Sequence, residues 1–167
     1  SMVRIGAAPV IMVLLYLEMW INRALPPNQL EIVRQPWITV ITTIIFVIAG
    51  ISDLLDGYLA RSRNEVTTLG KFLDPLADKV MITTVLIMMV KFEWAPAWVA
   101  IIIILREITI TAMRSMASSA GIIIAAGPWG KAKTVVQNIA LIFLLLHYSY
   151  FGLPFHTIGT IALYAAL

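Results

Sequence analysis

Cysteine is absent from the 167 residues of this chain, and charged residues are scarce. Without cysteine there is no disulfide framework, no thiolate metal site and no cysteine nucleophile. Only 13% of the residues are charged and 60% are hydrophobic, whereas soluble domains have about 25% charged and roughly 45–50% apolar residues. A chain of this length buries only about 70% of its surface when it folds alone. The composition therefore excludes a soluble globular domain and indicates an integral membrane protein.

Six apolar stretches predict an all-α membrane fold built as a six-transmembrane-helix bundle, with one domain over residues 1–167. A spanning helix needs about 20 mostly apolar residues. The stretches are Val3–Ile21, Trp37–Ser52 with a pattern that continues to about Arg61, Val80–Val90 with a backward extension over Lys71–Lys79, Trp94–Leu105 continuing through Arg106–Ser119, Thr134–Leu146, and Pro154–Leu167. The last stretch is too short to span, and Ser1 and Met2 directly precede the first. We therefore expect the first and last helices to be incomplete.

The positive charges predict the orientation, because Lys and Arg are concentrated in cytoplasmic loops. The 12 positive residues divide unevenly between the two sides. One side has Arg4, Arg61, Arg63, Lys71, Lys79, Arg106, Arg114, Lys131 and Lys133, and the other has Arg23, Arg34 and Lys91. We predict that the first side is cytoplasmic. The net charge of +3 is too small to indicate a nucleic-acid partner.

Four aspartates lie at the cytoplasmic ends of the second and third predicted helices. Asp53 and Asp56 are spaced i,i+3, and Asp74 and Asp78 are spaced i,i+4, so each pair lies on one helix face. A charge in the bilayer costs about 2.5–3.5 kcal/mol on insertion scales, and clustered acids repel one another unless they are neutralised. Oxygen ligands suit Mg²⁺ or Mn²⁺, and two ions about 3.5–4 Å apart would match four carboxylates. We predict two such ions between these helices.

A second interpretation of the aspartates needs no metal. They can also form ion pairs with neighbouring cations as solvated helix ends. The cations close enough in sequence are Arg61, Arg63, Lys71 and Lys79. Of these, we interpret Arg63 and Lys79 as flanking charges that set the topology.

Residues 53–78 carry a recognisable signature. They read DLLDGYLARSRNEVTTLGKFLDPLAD and match D-x2-D-G-x2-A-R-x8-G-x3-D-x3-D at every fixed position. The chain thus resembles the CDP-alcohol phosphatidyltransferases, enzymes of phospholipid biosynthesis that transfer a phosphatidyl group from CDP-diacylglycerol to an alcohol and release CMP. The stretches GKFLDPLADK, ILREITITAMR and GKAKT are most similar to members whose acceptor is glycerol 3-phosphate. The resemblance implies a homodimer in the bacterial inner membrane, with its active site toward the cytoplasm.

The resemblance also implies roles for individual residues. It makes Asp78 the base that takes the acceptor hydroxyl proton, in addition to its place among the four metal-binding aspartates. The residues implied to bind CDP-diacylglycerol are Gly57, Arg61, Thr67 and Arg4. Arg4 corresponds to the end of a P-N-x2-T-x2-R segment whose other fixed residues are absent here. Helix packing remains an alternative role for Gly57.

Glycerol 3-phosphate is a dianion, so its pocket needs cations. The candidates are Lys133, Lys131, Arg106 and Arg114. Alternate residues on a helix point about 200° apart, so one lysine faces the pocket and the other faces anionic lipid headgroups. We favour Lys133 as the lysine in the pocket, with Arg106 or Arg114 as its partner. Alternatively, Arg106 pairs with Glu107 or with an aspartate. The other interpretation is that both lysines only set the topology.

Two alternative functions remain. The first is the same reaction with another acceptor alcohol, such as inositol phosphate. Lys131 and Lys133 favour a phosphorylated acceptor over serine. The second is a non-enzymatic membrane cation carrier that uses the aspartate cluster. The complete signature argues against the carrier, as does its place at one membrane face, because transporter sites lie near the midplane.

Overall fold

The computed structural model describes residues 2–24, 37–62, 68–121, 127–150 and 153–167. Within these ranges the description includes all side chains except those of residues 2, 53–62, 68–76, 78, 128, 129, 131, 149 and 150.

The described residues form six helices and one short hairpin, which confirms the predicted all-α class. The elements are α1 (Met2–Ala24), α2 (Trp37–Ser62), α3 (Thr68–Lys91), α4 (Ala97–Ser119), α5 (Pro128–Leu146), β1 (Ser149–Tyr150), β2 (Leu153–Pro154) and α6 (Phe155–Ala165). Strands β1 and β2 are antiparallel, with Ser149 opposite Pro154 and Tyr150 opposite Leu153.

Proline marks the start of three helices. Pro96 and Pro154 directly precede α4 and α6, and Pro128 is in the first turn of α5. Proline suits these positions because its φ is fixed near the helical value and the first-turn N–H groups have no intrahelical acceptor. Helix α4 begins at Ala97 and not at the predicted Trp94. The Trp94 N–H instead donates to the Met89 carbonyl at 2.9 Å, which forms the turn after α3.

The helices pack around α1 and α5. Helix α1 contacts α2 and α3, whereas α5 contacts α6, α2 and α3, and α4 contacts α3. Gly159 allows the close contact between α6 and α5, since a Cβ at this position would lie 2.8 Å from Leu144 Cγ. The largest fully buried apolar side chains are Ile11, Leu15, Val85, Leu86, Met89, Val99, Ile103, Leu141, Leu144, Leu145 and Leu163.

One helix in the described part of the chain is long and apolar enough to cross a membrane by itself. It is Val3–Ala24 within α1. Helices α2 and α5 contain shorter apolar segments, Trp37–Ser52 and Ala132–Leu146. The six-span arrangement therefore stays a prediction.

The outward faces of the helices are strongly apolar. Side chains with at least half of their surface exposed include Val13, Trp20, Ile48, Ile101, Leu105 and Ile108. Soluble monomers rarely expose large contiguous apolar patches, whereas a surface facing lipid or a partner helix does. The exposed faces thus agree with a membrane protein.

Candidate active site

The helical backbone includes all four aspartates of the 53–78 signature. Asp53 and Asp56 lie in α2, and Asp74 and Asp78 lie in α3. Helical geometry therefore keeps each pair on one face of its helix, as the spacing predicts. Both helices pack against α1. The approach of the carboxylates to one another stays a prediction, because their side chains lie outside the described residues.

Several predicted nucleotide contacts also fall on the signature. Gly57 and Arg61 lie in α2. The side chain of Arg61 and the whole of Thr67 lie outside the described residues.

Arg4, the remaining predicted nucleotide contact, is buried near the start of α1, where only 3% of its surface is exposed. Arginine is almost never fully buried without a polar or anionic partner. Ala7 and Ala8 are buried on the same helix. The role of Arg4 in nucleotide binding stays a prediction.

Small buried residues stand within or beside the two signature helix segments. Ala49 of α2 has 1% of its surface exposed, and Ala77 of α3 is fully buried. Ala49 is four residues before Asp53, and Ala77 lies between Asp74 and Asp78. Small residues allow helix backbones to approach closely in membranes. This local composition is compatible with a shared site between α2, α3 and α1.

Next to Asp78, an ion pair joins α3 to α4. Lys79 Nζ donates to Glu107 Oε2, and Arg106 Nη1 donates to Glu107 Oε1 at 3.4 Å. The exposed fraction of the side chain is only 27% for Lys79, 14% for Glu107 and 20% for Arg106. Glu107 is thus the partner of Arg106 among the two alternatives to the acceptor role, Glu107 and an aspartate. Lys79 was predicted to be a flanking charge that sets the topology, whereas the structure shows that it has a specific partner on another helix.

The predicted acceptor cations lie on two helices. Arg106 is half-buried and Arg114 is exposed on α4, and Lys133 is exposed on α5. Lys133 Nζ donates to the Leu167 backbone carbonyl at 3.0 Å, so the start of α5 lies beside the end of α6. The side chain of Lys131 lies outside the described residues. No contact of the described residues joins Lys133 to Arg106 or Arg114, and their common pocket stays a prediction.

Gln137 of α5 is a polar residue that the sequence analysis did not single out. It is fully buried, and neither its Oε1 nor its Nε2 has a hydrogen-bond partner in the described part of the chain. It shares a helix face with Lys133 and Thr134, at i,i+4 and i,i+3. The available signal was the Gln137-Asn138 pair inside the apolar stretch Thr134–Leu146.

The donor chemistry of the signature fits a divalent metal. Carboxylates, four of which lie on two helices that are consecutive in the chain, are the hard oxygen ligands that Mg²⁺ and Mn²⁺ prefer. Among the side chains that the structure describes, no group of three or more His, Asp or Glu could hold a metal ion. Metal binding by the four signature aspartates stays a prediction.

Comparison with known proteins gives consistent matches. The family model described as CDP-alcohol phosphatidyltransferase matches residues 1–167. The chain is 46% identical over 124 residues to the CDP-diacylglycerol–glycerol-3-phosphate 3-phosphatidyltransferase of Bacillus subtilis, covering 74% of this chain and 64% of that protein. The protein of the same name in Haemophilus influenzae is 47% identical over 114 residues, covering 65% and 61%. That of Rickettsia bellii is 31% identical over 146 residues, covering 87% and 72%. The chain thus spans a little under two thirds of the first two relatives.

Proposed function

The chain belongs to the CDP-alcohol phosphatidyltransferase family, and from this premise we propose that it transfers the phosphatidyl group of CDP-diacylglycerol to glycerol 3-phosphate. The products are phosphatidylglycerophosphate and CMP. The observation that carries the proposal is the complete signature over residues 53–78, on helical backbone at all four aspartates. The names of the relatives support glycerol 3-phosphate as the acceptor.

Asp53, Asp56, Asp74 and Asp78 would hold the metal, for which we propose two Mg²⁺ or Mn²⁺ ions. When bound, the metal neutralises charge on the diphosphate of CDP-diacylglycerol. The four carboxylates come from two helices that both pack against α1, and a fixed helix pair keeps such ligands in position without reorganisation.

In this proposal Asp78 takes the proton from the acceptor hydroxyl. The hydroxyl oxygen then bonds to the β-phosphorus, and the bond from that phosphorus to the CMP oxygen breaks. A positioned base of this kind typically contributes about 10²–10⁴-fold to the rate. The adjacent Lys79–Glu107 pair attaches this part of α3 to α4 and so limits the movement of the helix that carries the base.

Cationic side chains bind the anionic parts of both substrates. Arg61 and Arg4 bind the nucleotide end of CDP-diacylglycerol, since guanidinium groups suit phosphate oxygens. Gly57 leaves space on α2 for the nucleotide, and Thr67 is the remaining residue of this set. The buried position of Arg4 supports its part in this set.

The acceptor phosphate must be held away from the metals, because it would otherwise compete with the diphosphate. We assign this role to Lys133, with Arg106 or Arg114 as partner and Lys131 as the second choice. Glu107 already balances part of the Arg106 charge. Arg114 has no such neighbour in its described contacts, which makes it the stronger partner for a dianion.

The same proposal places the chain as a multi-pass homodimer in the bacterial inner membrane, with six spanning helices and its active site toward the cytoplasm. The apolar length of Val3–Ala24 and the exposed apolar faces support membrane insertion. The concentration of Lys and Arg on the predicted membrane side that carries the signature supports the orientation.

An acceptor panel tests this function. The protein in lipid nanodiscs is given CDP-diacylglycerol with glycerol 3-phosphate, inositol phosphate or serine, and CMP release is measured with Mg²⁺ or Mn²⁺ present. A version extended to the length of the relatives is measured in parallel. We expect CMP with glycerol 3-phosphate and background release with the other two. Faster release with inositol phosphate would show that inositol phosphate is the acceptor. No release of CMP from either version with any alcohol would contradict the proposal that the chain is an enzyme.

A further inference from the structure

A polar cavity lies at the end of α1 and α3 that is away from the signature. Its walls include Glu18, Asn22 and Arg23 of α1, Phe92 and Trp94 of the turn after α3, and Tyr148 after α5. The position of Asp78 and the end of α3 at Lys91 are roughly 20 Å apart along the helix axis. This cavity, called the Glu18 cavity below, is therefore separate from the signature.

Glu18 contributes a buried acceptor atom to the cavity. Only 5% of its surface is exposed. Its Oε1 accepts a hydrogen bond from the Tyr148 hydroxyl at 2.9 Å, whereas its Oε2 is buried and has no hydrogen-bond partner among the described residues. Buried carboxylates are normally paired, because an uncompensated buried charge is costly. A cationic donor from outside the chain would complete the coordination of Oε2.

Arg23 provides a charge of the opposite sign on the same cavity wall. It is exposed, and the ion pairs of the described residues do not join it to Glu18. Asn22 adds an amide beside it. The cavity thus holds a carboxylate and a guanidinium that do not form an ion pair with each other. Such a cavity is complementary to a zwitterion whose cationic group faces Glu18 and whose anionic group faces Arg23.

Aromatic rings form the remaining wall. The Trp94 indole stacks on His147 with ring centroids 4.2 Å apart and an interplanar angle of 15°. Phe92 lies against the same indole, at 5.1 Å between centroids. Aromatic faces attract organic cations, and the stacking holds Trp94 in place.

The volume of the cavity and its position near the end of the spanning segment limit the kind of ligand that it can bind. Its volume is 240 Å³, below the roughly 300–1,000 Å³ of pockets for drug-sized ligands. It therefore suits a small headgroup and not a nucleotide. Glu18 and Arg23 lie toward the end of the apolar segment Val3–Ala24, the level at which lipid headgroups meet a spanning helix.

We propose that the Glu18 cavity binds the headgroup of a zwitterionic aminophospholipid. The primary ammonium group donates to Glu18 Oε2 and faces the aromatic wall. The phosphate lies against Arg23 and Asn22. A quaternary ammonium cannot donate a hydrogen bond to Oε2, and an uncharged glycerol headgroup brings no cation, so the cavity distinguishes these lipids.

Native mass spectrometry of the detergent-solubilised protein tests the proposal. Phosphatidylethanolamine, phosphatidylcholine and phosphatidylglycerol with identical acyl chains are titrated separately. We expect phosphatidylethanolamine to bind about tenfold more tightly than the other two, as one charge-assisted hydrogen bond allows. Glu18→Gln should remove this preference. Its matched control is Glu93→Gln, at an exposed glutamate of the neighbouring turn that does not line the cavity, and we expect this control to keep the preference.

Further measurements distinguish a soluble headgroup from a membrane lipid as the ligand. They also keep the test decisive if a variant does not fold. Soluble phosphoethanolamine that displaces phosphatidylethanolamine supports recognition of the headgroup alone, and a retained lipid preference without displacement supports the membrane lipid as the ligand. Arg23→Gln should weaken all three phospholipids without changing their order. If Glu18→Gln does not fold, the wild-type lipid panel and Arg23→Gln decide. Equal wild-type affinities, or a preference that Glu18→Gln retains, would overturn the proposal.

Discussion

Lys79 of α3, which directly follows Asp78 in the sequence, donates a hydrogen bond to the carboxylate of Glu107 on α4. Arg106 contacts the other oxygen of the same carboxylate. Both partners of the Lys79–Glu107 pair are largely buried, so solvent screens this pair less than a surface ion pair. The pair is thus a specific tie between the helix with the proposed base and the helix with two proposed acceptor cations.

A double-mutant cycle measures this tie. Glu107→Gln and Lys79→Gln should each lower the free energy of unfolding by about 1–3 kcal/mol, because each removes one side of a partly buried, charge-assisted hydrogen bond. The double variant should lose less than the sum, with a coupling of at least about 0.5 kcal/mol. Thermal unfolding in detergent gives these values, with Glu93→Gln as an exposed control. Additive losses would mean that the pair does not couple α3 to α4.

The amide of Gln137, which has no hydrogen-bond partner in the described part of the chain, predicts a stabilising substitution. A buried polar group without a hydrogen bond costs about 1–3 kcal/mol, and leucine fills a similar volume without that cost. Gln137→Leu should therefore raise the free energy of unfolding by about 1 kcal/mol. Asn138→Leu is the comparison, since Asn138 is the adjacent amide and is only half-buried. If Gln137→Leu destabilises the protein and Asn138→Leu does not, Gln137 has a partner in solution.

Removal of divalent metal should abolish turnover, and Mg²⁺ or Mn²⁺ should restore it. Asp56→Asn should keep the fold, because it preserves the size of the side chain, and should lose both metal binding and CMP release. Metal binding is followed by titration with Mn²⁺, and the fold by circular dichroism and unfolding temperature. Undiminished turnover of Asp56→Asn, or of the wild type in excess chelator, is incompatible with the proposed metal site.

The two lysines near the start of α5 have distinguishable roles. Lys133→Gln should raise the KM for glycerol 3-phosphate and leave the KM for CDP-diacylglycerol nearly unchanged. Lys131→Gln should change both values little, if it faces the headgroups. Steady-state kinetics with each substrate varied in turn decide between them. A normal acceptor KM in both variants would place the phosphate elsewhere and remove these residues from the acceptor site.

The sequence predicted most helices well because their signals are local. The apolar runs locate α4, α5 and α6, although α4 begins after Pro96 and not at Trp94, and α5 begins at Pro128 and not at the predicted Thr134. The signature was recognisable for the same reason, since its fixed residues all lie within positions 53–78.

Long-range contacts were not predictable in this way. Lys79 and Glu107 are 28 positions apart, and Glu18 and Tyr148 are 130 positions apart. Helical periodicity assigns a face to each residue but does not say which helix covers it. The sequence therefore showed Glu18 only as an acid inside an apolar helix, and the carboxylate-lined cavity became evident from the packing of α1 against the segments after α3 and α5.

Transfer of a phosphatidyl group to glycerol 3-phosphate, with Asp78 as the base, is the proposed function of the chain. Its most direct test is the incorporation of radiolabelled glycerol 3-phosphate into lipid by the wild type and by Asp78→Asn, in nanodiscs with CDP-diacylglycerol and Mg²⁺. Binding of CDP-diacylglycerol is measured on the same samples. We predict labelled lipid and CMP in equal amounts from the wild type, and a rate lower by about 10²–10⁴-fold in Asp78→Asn with CDP-diacylglycerol binding largely retained. Absence of labelled lipid from the wild type, or a loss of less than about tenfold in the variant, would contradict the account.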